Sequence, residues 1–439
     1  MTCLSAKPSL IRPTERPPSK RPSWALCHLK ACSTSWEFDY NAALALRAEE
    51  LGFDLVFGLS EWVRAGGYGG KIRFREDSID PFMTVTALAA LTKRLLLLST
   101  IHILYGPWHP MHLARFAATA DHISKGRFGI NVVTGFSPAE PLMFGMRRQE
   151  HDLRYEMADE FMSIAKRLWQ SEHNFTYEGQ FWRLEDAFVR PKPRYGRPIL
   201  VSATGSPAGF SYAARHSDLA FITSPAGANV ERAVEALPAH TAKLKAEALS
   251  LGRNIRTIIN PMIVCRETEA EARAYYDEII RVADTEAAAG YANHFKSGDS
   301  KAWNNHVPLE RILGGNVHLI GSPEQVADWF IALNKAGCDG MQISFYDFAK
   351  ISNFSAKLCY RCCSKPGSGD KSPDMHSQAH PCFLLEKTWR LEGLPPGKAP
   401  IRALHVGDPS SGDAEKVWFE GPRFWLERDP VGEDAVVQM

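Results

Sequence analysis

Apolar and polar positions follow two rhythms along the middle of this chain. Short apolar runs of strand length occur at Asp54–Gly58, Leu95–Ile101, Arg127–Val133, Ile199–Ala203, Asp218–Ile222, Ile258–Cys265 and Gly340–Phe345. Between them, apolar residues recur at spacings of three and four, which predicts helices over 41–51, 80–94, 111–124, 152–170, 209–216, 229–250, 268–287 and 323–336. Punctuation agrees with this reading: Asp80-Pro81 supplies an N-cap and a first-turn proline, and Gly52 stops the first helix. Phe175–Trp182 reads as a hairpin inserted after the fourth helix, and the segment after 287 reads as irregular. Strand–helix alternation demands parallel pairing with right-handed crossovers, so the expected fold is α/β, a (β/α)8 TIM barrel with insertions. The seven runs leave one strand to be found before the helix at 41. Trp24–Leu29 is the candidate; otherwise the first strand is atypical.

The ends differ from the centre. Residues 1–35 are basic and proline-rich and read as a disordered extension, since Pro8, Pro13, Pro17, Pro18 and Pro22 would break the amphipathic helix of a mitochondrial signal. Residues 36–348 form the expected barrel domain. Residues 349–439 include a stretch rich in Pro, Gly, Ser and Lys and read as an atypical, largely disordered tail. Within it, Cys359, Cys362, Cys363, His376, His380 and Cys382 supply only half of a zinc pattern, which wants two paired ligand sets, so no metal is expected.

Composition narrows the functional classes. A balance of 51 Lys+Arg against 50 Asp+Glu gives a net charge of +1, which offers nothing to nucleic acid or an anionic membrane. No apolar stretch approaches the ~18 residues of a membrane span. The nine cysteines lie mostly near the ends, which is no disulfide framework for a folded centre and points to a reducing, cytoplasmic setting.

The chemistry concentrates in two adjoining segments. Arg127-Phe-Gly-Ile-Asn131-Val-Val-Thr134-Gly135 is a buried strand carrying an amide that needs a partner, followed by a loop with Glu140. Taken alone, Asn131 reads as a core amide satisfied by neighbouring backbone, and Glu140 as a solvated carboxylate. A helix then opens with Arg154-Tyr155, where free amides and the helix dipole favour an anion and an Arg fork matches phosphate; pairing with Glu150 or Asp159 is the simpler alternative. Gly205-Ser206-Pro-Ala-Gly209 makes a second helix start suited to an anion. Trp62-Val63-Arg64 precedes the glycine-rich stretch Gly66–Lys71, and Tyr105-Gly-Pro-Trp108-His109-Pro110 follows the 95–101 strand.

These motifs, in this order over residues 37–346, resemble the flavin-dependent monooxygenases of the bacterial-luciferase-like superfamily, in particular its dimethyl-sulfone and pyrimidine branches. The resemblance implies a two-component enzyme that takes reduced FMN from a separate NAD(P)H:flavin reductase and uses dioxygen to oxygenate a small organic substrate, a sulfone or a pyrimidine-like ring. It places Val63, Arg64, Asn131, Glu140, Arg154, Tyr155 and Ser206 against the flavin. Trp62, Trp108 and His109 would line the substrate pocket, with the glycine-rich stretch as a mobile lid or pocket wall and a homo-oligomer as the expected assembly. Alkanesulfonate enzymes of the superfamily carry Arg and His where this chain has Asn260 and Met262. Their Arg- and Gly-rich loop is reduced here to Leu313–Gly321, so a neutral substrate is expected. A deazaflavin-dependent hydride transfer, or a flavin-binding barrel without activity, is the alternative.

Overall fold

The computed structural model describes residues 2–5 (backbone only), 37–50, 52–71, 73–106, 108–299 and 317–345. Strand β1 is Thr2–Ser5, followed by helix α1 (Phe38–Glu50), β2 (Leu55–Gly58), α2 (Pro81–Leu91), β3 (Leu96–His102), α3 (Pro110–Ser124) and β4 (Phe128–Val133). A short helix α4 (Ala139–Met143) and the long α5 (His151–Gln170) precede an antiparallel pair, β5 (Phe175–Glu178) and β6 (Arg183–Ala187). The alternation resumes with β7 (Ile199–Thr204), α6 (Pro207–His216), β8 (Leu219–Ile222), α7 (Val230–Ser250), β9 (Arg256–Ile259) and β10 (Pro261–Cys265). Helices α8 (Glu269–Val282) and α9 (Thr285–Ser297), then β11 (Val317–Gly321), α10 (Pro323–Lys335) and β12 (Gly340–Phe345), complete the described elements.

All pairings of the main sheet are parallel and run β1, β2, β3, β4, β7, β8, β9, β12; β10 and β11 extend it beyond β12. Strand β1 pairs with β2 on one side and with β12 on the other. The strand missing from the seven apolar runs is therefore Thr2–Ser5, within the stretch read as an extension, whereas Trp24–Leu29 lies outside the described residues. Four residues with one large apolar side chain carry no periodicity to detect. The 349–439 tail with its Cys and His residues also lies outside the described residues.

The helices start where the sequence offers caps. Asp80 accepts from the Met83 amide at 2.9 Å with Pro81 in the first turn, and Thr268 and Ser322 make reciprocal capping boxes with Glu271 and Gln325. Successive strand residues then separate two cores. Leu97, Ile101, Phe128 and Ile130 pack outward against Leu113, Ala117 and Phe161 of the helices. Leu55, Phe57, Leu98, Val201, Leu219, Phe221 and Ile258 fill the space enclosed by the strands. Gly129 lies where a Cβ would come within 2.3 Å of Leu98, so β3 and β4 approach more closely there than any side chain would allow.

The departures from expectation have local causes. Ile258–Cys265 breaks at Asn260 into β9 and β10, which pair with different stretches of β12. The supposedly irregular stretch after 287 contains α9, and the last residues of the reduced 313–321 loop form β11. Helix α9 packs over a third cluster formed by Phe74, Met262, Val264, Ile279, Ala287 and Tyr291.

Candidate active site

The polar residues gather at the C-terminal ends of the strands, the face on which barrel enzymes build their sites. Asn131 stands opposite Thr100 in the β3–β4 register, and its Nδ2 donates to Thr100 Oγ1 at 3.1 Å. Its Oδ1 is buried without a partner, so backbone does not satisfy this amide as a core residue would require. Glu140 lies in α4 rather than in an open loop and is 2% exposed, which excludes the solvated-carboxylate reading. The Tyr105 hydroxyl donates to Glu140 Oε2 at 2.6 Å and also meets His102 Nδ1, which lies 3.7 Å from the same carboxylate oxygen. Burial, and after it the Glu140 charge, raises the Tyr105 phenol well above its ordinary range.

Helix α5 opens on Glu150, whose carboxylate accepts from the Asp152 amide at 2.9 Å. The Arg154 fork is closed by neither expected acid. Its Nη1 and Nη2 donate to Asp299 at 3.0 and 2.8 Å, and Nη1 also donates to the Gln149 carbonyl at 2.7 Å. The sequence could not show this pairing, because Asp299 lies 145 residues downstream. Only Nε of the buried guanidinium lacks a partner. Tyr155 turns its hydroxyl to Ser206 and Thr134, and burial raises its pKa. Ser206 caps α6, accepting from the Gly209 amide at 3.1 Å. A Cβ on Gly209 would sit 2.2 Å from Thr204 Oγ1, 2.8 Å from the Tyr155 hydroxyl and 3.1 Å from Ser206 Oγ. Three hydroxyls thus converge on a helix start, and that of Thr204 is buried and unpartnered.

The Gly66–Lys71 stretch forms a hydrogen-bonded turn seated on α9, rather than a free lid. The Gly66 amide donates to Glu76 at 2.8 Å, Tyr68 N to the Phe74 carbonyl at 2.9 Å and Lys71 N to Asp284 at 2.9 Å. The Tyr68 ring lies 5.0 Å from Tyr291 and 4.7 Å from His294, and its hydroxyl is buried without a partner. Phe136, just past β4, stacks on Phe295 at 5.1 Å and meets His294 edge-on. Burial, aided by the Arg75 charge, lowers the His294 pKa to about 4.

Of the remaining expected residues, Val63 is half-buried and Arg64 exposed. Trp62 is 44% exposed and meets Phe144 edge-on at 4.9 Å. Trp108 packs on Phe82 and Phe116 of α2 and α3, and the His109 side chain caps α3 by accepting from the Met111 amide. Both make these contacts in the helix layer, where a Pro-flanked His before a helix serves first as a cap. Met262 is buried in the cluster beneath α9. Among the described residues no group of three or more His, Cys, Asp or Glu could hold a metal. Thr100, His102, Tyr105, Thr204 and Asp299 also join the site; sequence reasoning gave none of them a role in it, although Tyr105 opens the motif that follows the 95–101 strand. The first three were legible as polar residues ending or following an apolar run.

The model of luciferase-like monooxygenases matches residues 23–340, which spans the strands bearing all of these groups except Thr2–Ser5 and the end of β12. The chain belongs to the luciferase-like monooxygenase family. It is 32% identical over 325 residues to an FMNH2-dependent dimethylsulfone monooxygenase of Pseudomonas putida, covering 72% of this chain and 85% of that protein. It is 30% identical over 332 residues to a pyrimidine monooxygenase of Rhizobium rhizogenes, covering 73% and 88%. The solved structure of DmoA from Hyphomicrobium sulfonivorans superposes with a TM-score of 0.65 at 21% identity, covering 81% and 85%, and shares the fold. As a luciferase-like monooxygenase, the chain sets its polar groups on the strand-end face that this barrel architecture uses for chemistry.

Proposed function

We propose that this protein is the oxygenase component of a two-component system. It binds reduced FMN delivered by a separate NAD(P)H:flavin reductase and uses dioxygen to oxygenate a small neutral organic molecule. The observation that carries the reading is the pair of unsatisfied buried groups, Asn131 Oδ1 at the end of β4 and Thr204 Oγ1 at the end of β7. An unpartnered buried acceptor and hydroxyl each cost about 1–3 kcal/mol, a penalty that a polar ligand would remove. They suit the two ends of a flavin mononucleotide. Asn131 offers an acceptor to a ring N–H. Tyr155, Ser206 and Thr204 offer hydroxyls to a phosphate at the start of α6. Arg154, committed to Asp299, braces this arrangement from α5. Reduced flavin, when bound, supplies the electrons that activate dioxygen. The chain's part is to hold that cofactor and, through Tyr68, Phe136 and the Trp62–Phe144 pair, to keep water from the reacting face.

The named activities of the relatives, on dimethyl sulfone and on pyrimidines, support a neutral substrate. Met262, buried with Phe74, Val264 and Ile279, offers no cation to a sulfonate, which would forfeit several kcal/mol of hydration on entering a dry pocket. Exposed Met83, Leu91, Phe116 and Ile123 on neighbouring α2 and α3 support a homo-oligomer that covers them. Among the described residues no helix is long and apolar enough to cross a membrane. The test supplies reductase, NADH and FMN with dimethyl sulfone, a pyrimidine or an alkanesulfonate, and follows product. Oxygenation of a neutral substrate is expected. Sulfite release from alkanesulfonates at the rate of the best neutral substrate would sink the assignment.

A further inference from the structure

Three buried side chains, His102 at the end of β3, Tyr105 just past it and Glu140 in α4, make a continuous chain. His102 Nε2 donates to the Ser60 carbonyl at 3.1 Å, His102 Nδ1 meets the Tyr105 hydroxyl, and that hydroxyl meets Glu140 Oε2 at 2.6 Å. A carbonyl oxygen only accepts, so Nε2 must carry a proton. If His102 is neutral, Nδ1 then carries none, and the single phenolic proton of Tyr105 can satisfy only one of its two contacts. Both are hydrogen bonds only when one further proton is present: on Nδ1, with Tyr105 donating to Glu140, or on Glu140, with the Tyr105 hydroxyl turned to Nδ1 instead. An unmade bond between groups this buried is costly, so the geometry demands that proton.

We propose that His102, Tyr105 and Glu140 form a proton relay, which stores one proton and delivers it at Glu140 to an oxyanion produced as dioxygen is split. The role in turnover rests on the oxygenase reading above; the stored proton does not. Delivery breaks an O–H bond at Glu140 and makes one on the oxyanion. A proton that begins on His102 reaches Glu140 in two hops, from Nδ1 to the Tyr105 oxygen and from Tyr105 to the carboxylate. Neutral imidazole, phenol and carboxylate remain, with one hydrogen bond lost, and a proton from solvent restores the chain. Among the described residues, groups from other elements are coupled electrostatically to the relay. Tyr68 of the turn over α9 is a phenol coupled to Glu140, and Arg154 of α5 is a cation already neutralised by Asp299.

The stored proton is tested on flavin-free protein. Infrared and 15N spectra near neutral pH should show either a carboxylic-acid carbonyl band lost in Glu140→Gln or an imidazolium signal lost in His102→Gln. A neutral His102 beside an ionised Glu140 overturns the proposal, whatever the enzyme does with substrate. Delivery is tested with Tyr105→Phe, which cuts the chain and leaves Glu140 in place. With an active wild type, kcat should fall on the order of a hundredfold and lose its dependence on pH, while KM moves less than twofold. An unaltered pH profile in a folded Tyr105→Phe protein would overturn the relay. A wild type inactive on every substrate, with the stored proton present, would count against the oxygenase reading alone.

Discussion

Arg154 and Asp299 make a two-point ion pair, 3.0 and 2.8 Å long, between the start of α5 and the residue two past the end of α9. The arginine is 3% exposed, so its charge has nowhere else to go. Burial would raise the Asp299 pKa, but the hydrogen bonds and charge of Arg154, with Arg148 and His151 behind, hold it below the ordinary carboxylate range.

Removing the acid should therefore be destabilising. Asp299→Ala strands a buried guanidinium, and with Asp299 itself part-exposed the expected loss is about 2 kcal/mol in urea unfolding at pH 7. The sign follows from the depressed pKa: the contribution is full above the unfolded carboxylate value and fades as pH falls through the folded one. A variant unfolding at the parental midpoint would show that solvent, not Asp299, balances Arg154.

The hydroxyl cradle makes a sharper claim about cofactor affinity. Ser206→Ala and Tyr155→Phe should each weaken reduced-FMN binding by about 1.5–3 kcal/mol, one hydrogen bond to a charged group. Gly209→Ala should weaken it more, because its methyl would collide with Thr204 and the Tyr155 hydroxyl. Arg154→Ala should weaken it least. Equilibrium titrations in which Arg154→Ala proved the most damaging would return the phosphate to that fork.

Asn131→Leu separates cofactor contact from packing. The change forfeits the bond to Thr100 but also removes an oxygen that has no partner, so the folded state should lose about 1 kcal/mol or less. Turnover should fall much further. Loss of folding in step with loss of activity would make Asn131 a core amide.

His294 predicts how the turn over α9 responds to acid. Its folded pKa, about 4, lies below the unfolded value near 6.5, so the unfolded chain takes up the proton first and stability falls as pH drops through that window. His294→Phe should flatten this slope while keeping the ring against Tyr68 and Phe136. Denaturation at pH 7 and 5 gives the comparison, and equal slopes for both proteins would place the acid sensitivity elsewhere.

What could be read in advance divides along physical lines. The strand Leu219–Ile222 announced itself because burial on both faces writes an uninterrupted apolar run. Asn131 and Tyr155 stood out as polar residues at points where the pattern changes. Helix α9 was overlooked, although Asp284 caps it and Ala287, Ala288 and Tyr291 form its apolar stripe, because the small alanines gave it little contrast. The Arg154–Asp299 pair and the His102–Tyr105–Glu140 chain arise from three-dimensional proximity, and no local spacing encodes them.

A Cβ at Gly290 would lie only 1.8 Å from the Tyr68 carbonyl oxygen, so the turn and α9 touch backbone to backbone. A hinge that flexes by side-chain rotation is ruled out at such a seam. Any opening of this wall must carry the 66–71 turn and the helix together, as a door moves with the panel fixed to it. Traffic of small molecules past that wall would then be timed by one collective displacement, and substitutions in either segment should alter the same rate.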